Sequence, residues 1–219
     1  YASTALAAIL CAGLATQPAL GQSVTVTGPV SSSPVGSPPV WETASAIAVG
    51  TAGSEPGILT IENGGKLVTT SSGNSFLGAS VVVSGDVKRF SNGIVTVSGR
   101  DADGTPSMWR NSGGLVVGGV SAGVLTITNG GEVSNANAIL GLSANTSLAG
   151  IPVASGTATV SGNGSTWRNF GSLIVGDDGM GVLTVENGGT VSSSFTQLGA
   201  RSSGTGTVEL LGTASGRGV

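Results

Sequence analysis

The stretch Trp167-Arg168-Asn169, then Leu173-Ile174-Val175-Gly176, then Gly181-Val182-Leu183-Thr184-Val185-Glu186-Asn187-Gly188-Gly189 decides the fold, because the chain writes it three times. One earlier copy runs Trp109-Arg110-Asn111, Val116-Val117-Gly118 and Gly123-Val124-Leu125-Thr126-Ile127-Thr128-Asn129-Gly130-Gly131. The first runs Trp41-Glu42-Thr43, Ala48-Val49-Gly50 and Gly57-Ile58-Leu59-Thr60-Ile61-Glu62-Asn63-Gly64-Gly65. The Asn of the Asn-Gly-Gly recurs at 63, 129 and 187, intervals of 66 and 58. Self-similarity at such a period is the mark of a solenoid, in which stacked units bury a core that none could bury alone.

Within each copy the apolar residues alternate. Leu59/Ile61, Leu125/Ile127 and Leu183/Val185 share one face, and Thr60/Glu62, Thr126/Thr128 and Thr184/Glu186 the other, the period of a strand with one side on a core and one in water. Asn-Gly tolerates positive φ, so the three Asn-Gly pairs are turns. They make either the corners of a coil or the hairpins of an antiparallel meander or propeller. The unequal period and the insertion around Ser54-Glu55-Pro56 favour a coil, whose outer loops absorb both. In the last unit the strand segments fall at 158–161, 172–175, 182–186, 196–198 and 207–211. At roughly 20 residues per coil a unit makes three coils, advancing about 14 Å at ~4.8 Å per strand and giving a rod about 45 Å long.

Composition agrees with repetition. Of 219 residues 39 are Gly, 9% are charged and 4% aromatic, less charge and fewer aromatics than a compact domain uses. With 8 basic against 11 acidic residues, a net charge of −3 and no basic cluster in sequence, nucleic acid is excluded as a partner of phosphate-neutralising type.

Residues 1–41 carry no charge, and 5–14 form an apolar run ended by Gln17-Pro18. Ala19-Leu20-Gly21 supplies a small-x-small cleavage pattern, so residues 1–21 read as a secretory signal peptide lacking its basic start. Cys11, the only cysteine, lies inside it, leaving a mature chain stabilised by hydrogen bonds and apolar ladders instead of disulfides. Residues 22–40, rich in Ser, Pro and Gly, form an entry segment or N-terminal cap. Val24-Thr25-Val26 resembles Val95-Thr96-Val97 as a first, worn repeat, with Pro34, Pro38 and Pro39 blunting the end. Residues 41–219 form the repeat domain.

Few groups are candidates for chemistry. There is no histidine, so a Ser-His-Asp triad and histidine metal sites are excluded. Asp177-Asp178 follows Val175-Gly176 in a turn whose counterparts read Thr51-Ala52 and Gly119-Val120, which marks a solvated loop. Asp101-Ala102-Asp103-Gly104 begins like a calcium loop but lacks the later acidic ligand. The three Trp stand one unit apart, too far to share a sugar ring, and are expected to pack at coil corners with Arg110-Asn111 and Arg168-Asn169 facing water. Asn145 and Asn163 fit glycosylation acceptor patterns of low specificity. No residue is assigned a catalytic, cofactor-binding or metal-binding role, and the chain reads as a non-enzyme.

The joint pattern Val-Ser-Gly-x-Gly-Ser-x-Trp-x-Asn, Leu-x-Val-Gly and Gly-x-Leu-Thr-Val-x-Asn-Gly-Gly-x-Val-Ser, best seen over 161–192, resembles the passenger-associated repeat of bacterial autotransporters (type V secretion). Related repeats occur in surface proteins with a C-terminal sorting signal. The resemblance covers about residues 41–215. It implies an all-β, right-handed parallel β-helix, or β-solenoid, built from repeats of 58–66 residues. It further implies export through the periplasm and outer membrane of a Gram-negative bacterium to the cell surface or medium. The expected partner is a C-terminal outer-membrane β-barrel translocator, belonging to sequence beyond residue 219. The implied role is a stalk or adhesin, with a host surface or another copy as further partner. A β-helical polysaccharide lyase or hydrolase, and a sorted surface protein without a barrel, are the alternatives.

Overall fold

The computed structural model describes residues 22–28, 30–31, 40–51, 55–78, 81–84, 87–142 and 153–212. The signal-peptide reading of 1–21, Cys11, the three prolines at 34, 38 and 39, and Asn145 lie outside them. The described chain is all β, with twenty-two strands and no helix.

Three sheets hold twenty of these strands. Sheet 1 has the order β1 (Ser23–Thr27), β5 (Gly57–Glu62), β10 (Gly93–Ser98), β13 (Gly123–Thr128), β16 (Ser155–Ser161), β19 (Met180–Glu186), β22 (Thr205–Leu211). Sheet 2 has β3 (Val40–Thr43), β6 (Lys66–Thr69), β11 (Met108–Asn111), β14 (Glu132–Asn135), β17 (Thr166–Asn169) and β20 (Thr190–Ser192). Sheet 3 has β2 (Val30–Ser31), β4 (Ala48–Val49), β7 (Ser75–Leu77), β12 (Leu115–Val117), β15 (Ala138–Leu140), β18 (Ser172–Val175) and β21 (Phe195–Leu198). From β3 onward the chain visits sheets 2, 3 and 1 in rotation, and every pairing among these later strands within those sheets is parallel. One antiparallel hairpin, β8 (Val81–Ser84) with β9 (Val87–Phe90), interrupts the rotation between β7 and β10. The meander reading of the Asn-Gly turns is thereby excluded.

Alternation dictates the interior. Leu59, Val95, Leu125, Ala158 and Leu183 stand in register down sheet 1, as do Ile61, Val97, Ile127 and Val160; all nine are at most 3% exposed. They meet Leu77, Leu115, Val117, Leu140 and Val175 of sheet 3 and Leu67 and Val133 of sheet 2 in one core. Each such side chain contributes about 1.5–3 kcal/mol relative to staying in water. In the last circuit Leu198 and Leu210 take the corresponding inward places yet are 49% and 75% exposed.

The corners use the residues the sequence puts there. Asn63, Asn129 and Asn187 adopt φ of 51°, 52° and 52°, turning the chain from sheet 1 into sheet 2, where the asparagine side chain makes positive φ tolerable. The opening glycine of each sheet 1 strand has a steric reason. A Cβ on Gly123 would lie 2.2 Å from the Gly118 nitrogen.

Successive turns of the rotation open at Gly57, Gly93, Gly123, Gly156, Gly181 and Gly206, so each sequence unit holds two circuits, not three. Three strands and three corners need more than 20 residues, and a unit advances about 10 Å at ~4.8 Å per strand. Strands β17 and β20 were absent from the expected set for the last unit. Nor is β1 a worn repeat: it runs antiparallel to β5, and β2 antiparallel to β4. Together they close the first circuit, helped by Gln22 Nε2 donating to Asp101 Oδ2 at 2.6 Å.

Candidate functional site

Sheet 2 carries the most distinctive side chains. Its inward ladder reads Trp41, Leu67, Trp109, Val133, Trp167, Val191, an aromatic alternating with an aliphatic, which is the physical content of a two-circuit unit. Trp109 and Trp167 are fully buried within β11 and β17, so they pack in the core instead of at the coil corners expected, and no aromatic platform exists there. Two residues on, period two turns the next side chain inward again. Asn111 and Asn169, expected in water, are 4% and 3% exposed.

These asparagines form a polar ladder beside the apolar core. Asn135 Nδ2 donates to Asn169 Oδ1 at 2.7 Å and to the Asn137 carbonyl at 2.8 Å, and Asn135 Oδ1 accepts from Trp167 Nε1 at 2.8 Å. One step away Thr69 Oγ1 donates to Asn111 Oδ1 at 2.6 Å, while Asn111 Nδ2 donates to the Gly114 carbonyl at 2.8 Å. Buried polar groups satisfied in this way fix the strand register. Nothing in the alternation of apolar residues signalled this ladder; the recurrence of Asn two places after Trp could have.

The outward face of the same sheet rests on that interior. Arg110, Ser134, Arg168 and Ser192 stand in register on successive strands. Beside them run Met108, Glu132, Thr166 and Thr190. They line a shallow groove of about 750 Å³ with Phe170 at its rim. The Arg168 guanidinium carbon lies 4.9 Å from the centre of the Phe170 ring, a cation–π contact that restricts the side chain. Glu132 is matched by Arg100 at 3.7 Å. Among the described residues neither Arg110 nor Arg168 is in an ion pair. Sheet 1 differs: its outer face presents Thr60, Thr96, Thr126, Thr159 and Thr184 in register, followed by Glu209, and bears no cation.

The other candidates are structural. The solvated-loop reading of Asp177-Asp178 holds only in part, since Asp177 is 6% exposed: Arg201, in the equivalent turn one circuit later, reaches Asp177 Oδ1 at 3.2 Å and Asp178 Oδ2 at 3.5 Å. Asp101 organises its own loop, with Oδ1 accepting from the backbone N–H of Thr105 at 2.7 Å and of Asp103 at 3.0 Å. Those bonds, Thr105 first and then the Gln22 amide on Oδ2, hold its carboxyl below the usual value. Among the described residues no three His, Cys, Asp or Glu side chains converge on one point. Asn163 lies in an exposed turn.

Compared with known protein families, curated proteins and solved structures, the chain gives no significant match.

Proposed function

We propose that this chain is a stretch of right-handed parallel β-solenoid from the passenger of a bacterial autotransporter, displayed at the cell surface as a non-enzymatic stalk with a part in adhesion. The observation that carries the reading is the coincidence of sequence repeat and stacking: Trp41, Trp109 and Trp167, one per unit, fall on a single ladder two strands apart. Parallel crossover connections are right-handed in the great majority of cases, which supports the hand. The sequence resemblance supplies the secretory context, including the outer-membrane barrel as translocator and a host surface or a second copy as partner.

The physical logic favours a rod. Each unit adds about 10 Å of length with the same corners and core, so reach scales with repeat number at constant stability per circuit. Its lateral faces repeat with the same spacing, which suits polyvalent contact. Absence of histidine from the sequence speaks against the triad of protease passengers.

Antibodies raised against the folded chain and applied to intact cells of the source organism test the reading. Labelling without permeabilisation is expected, together with its loss on brief external proteolysis. Signal seen only after the envelope is opened would refute surface display, and a crystal structure with left-handed rotation would refute the hand.

A further inference from the structure

We propose that the outer face of sheet 2 binds a linear acidic polysaccharide that carries one carboxylate on every second sugar, lying along the stacking direction with Arg110 and Arg168 as its two anchors. The inference goes beyond the surface-display reading and does not depend on it, since it needs only the exposed groove.

Spacing comes first. Arg110 and Arg168 are separated by one strand that contributes Ser134, so their Cα atoms are two strand spacings apart, about 9–10 Å. A pyranose in an extended glycan advances by close to one strand spacing. Alternate sugars therefore come level with alternate strands, placing a carboxylate at each guanidinium and an uncharged sugar opposite Ser134. Guanidinium is the side chain best matched to a carboxylate, through two parallel N–H donors.

Charge selects against other acidic polymers. Glu132 precedes Ser134 by two residues on β14, and both face outward. A carboxylate on the intervening sugar would sit beside Glu132 and be repelled, whereas a neutral sugar meets the hydroxyl of Ser134, and Ser192, two strands on, offers the same beyond Arg168. Arg100 tempers Glu132 at 3.7 Å but leaves the two anchors free. Phe170, 61% exposed, fixes the plane of Arg168 and offers an apolar edge at the end of the groove. The threonine-lined face of sheet 1 has no such cations, so the chain's overall negative charge does not describe this face.

The test uses the folded chain and three soluble probes of equal length: an oligosaccharide alternating glucuronate with N-acetylglucosamine, its carboxyl-reduced neutral form, and oligogalacturonate with an acid on every sugar. Titrations followed by calorimetry at low salt should show binding of the alternating probe, weaker binding of oligogalacturonate and none of the neutral form. Added salt should weaken it. R110A/R168A should lower affinity by about tenfold or more, as expected for losing two charge-assisted contacts, with circular dichroism and melting unchanged because both side chains are exposed. S134R should shift preference towards oligogalacturonate. Failure of the alternating probe to bind, equal binding of the neutral form, or indifference to R110A/R168A would overturn the proposal.

Discussion

Trp109 and Trp167 occupy equivalent places but are not equally satisfied, and exchanging one residue should equalise them. Trp167 Nε1 donates to Asn135 Oδ1 at 2.8 Å, and Asn135 lies two residues beyond Val133, the strand partner of Trp167. The counterpart for Trp109 is Thr69, two residues beyond Leu67. Its hydroxyl is already committed as donor to Asn111 Oδ1, and Trp109 Nε1 is buried without a partner. An orphaned buried N–H costs about 1–3 kcal/mol. Thr69→Asn, nearly unchanged in volume at a fully buried site, would let Nδ2 donate to Asn111 Oδ1 and Oδ1 accept from Trp109 Nε1, as Asn135 does one unit later. Against this stands the poorer strand propensity of Asn, up to about 1 kcal/mol. The expected net gain is about 1 kcal/mol, a rise in melting temperature of about 2–4 °C for a chain of this size. Asn135→Thr should do the reverse, orphaning Trp167 Nε1 and uncapping the Asn137 carbonyl, with a loss of about 2–3 kcal/mol. Urea unfolding followed by tryptophan fluorescence gives the stabilities, and the indole N–H resonances and their exchange rates report which ring is bonded. A T69N variant no more stable than the parent, with the Trp109 indole proton unprotected, would refute the equivalence of the two steps.

Other outcomes follow from the same geometry. Gly123→Ala places a Cβ 2.2 Å from the Gly118 nitrogen and should cost about 3 kcal/mol or more. Gly212→Ala, with open space around it, should be neutral within about 0.5 kcal/mol in the same denaturation assay. Trp167→Ala should cost about 3–5 kcal/mol by emptying the ladder between Val133 and Val191; full retention of the melting temperature would contradict its burial. Because the carboxyl of Asp101 is held below its ordinary value of 3.8, its contribution is present above that pH and is lost as pH falls through the lowered folded value. Hydrogen-exchange protection at Val24 and Val26, taken relative to the intrinsic rate at each pH, should therefore fall below about pH 4, and D101N should remove that step. Arg201→Ala should cost about 1–3 kcal/mol, because Arg201 is 64% exposed but its partner Asp177 has a side chain only 9% exposed and would lose its charged donor.

Much of this protein was legible residue by residue. The alternation in Gly-Val-Leu-Thr-Val-Glu dictated strands and their inward face, and the Asn-Gly pairs dictated turns, because period two and positive φ are local properties. Strand β17 was not legible as a strand. Its inward residues are Trp167 and Asn169, and a buried asparagine breaks the apolar–polar code from which strands are read. The turn pair Asp177-Asp178 looked solitary because its arginine arrives from the equivalent turn a whole circuit later.

The sequence by itself determined that the described residues are all β, repeat at 66 and 58 residues, keep Leu, Ile and Val inside, and turn at Asn63, Asn129 and Asn187. Only the tertiary structure decided that each unit makes two circuits, that β1 and β2 run against the stack, that Asn135 serves Trp167 while Trp109 goes unserved, and that Arg110 and Arg168 share one face. The reason is range. Alternation and turn chemistry act over a few neighbouring residues, whereas which strand lies above which is set by closure of the whole circuit, and neighbours in the parallel ladders stand 23 or more residues apart.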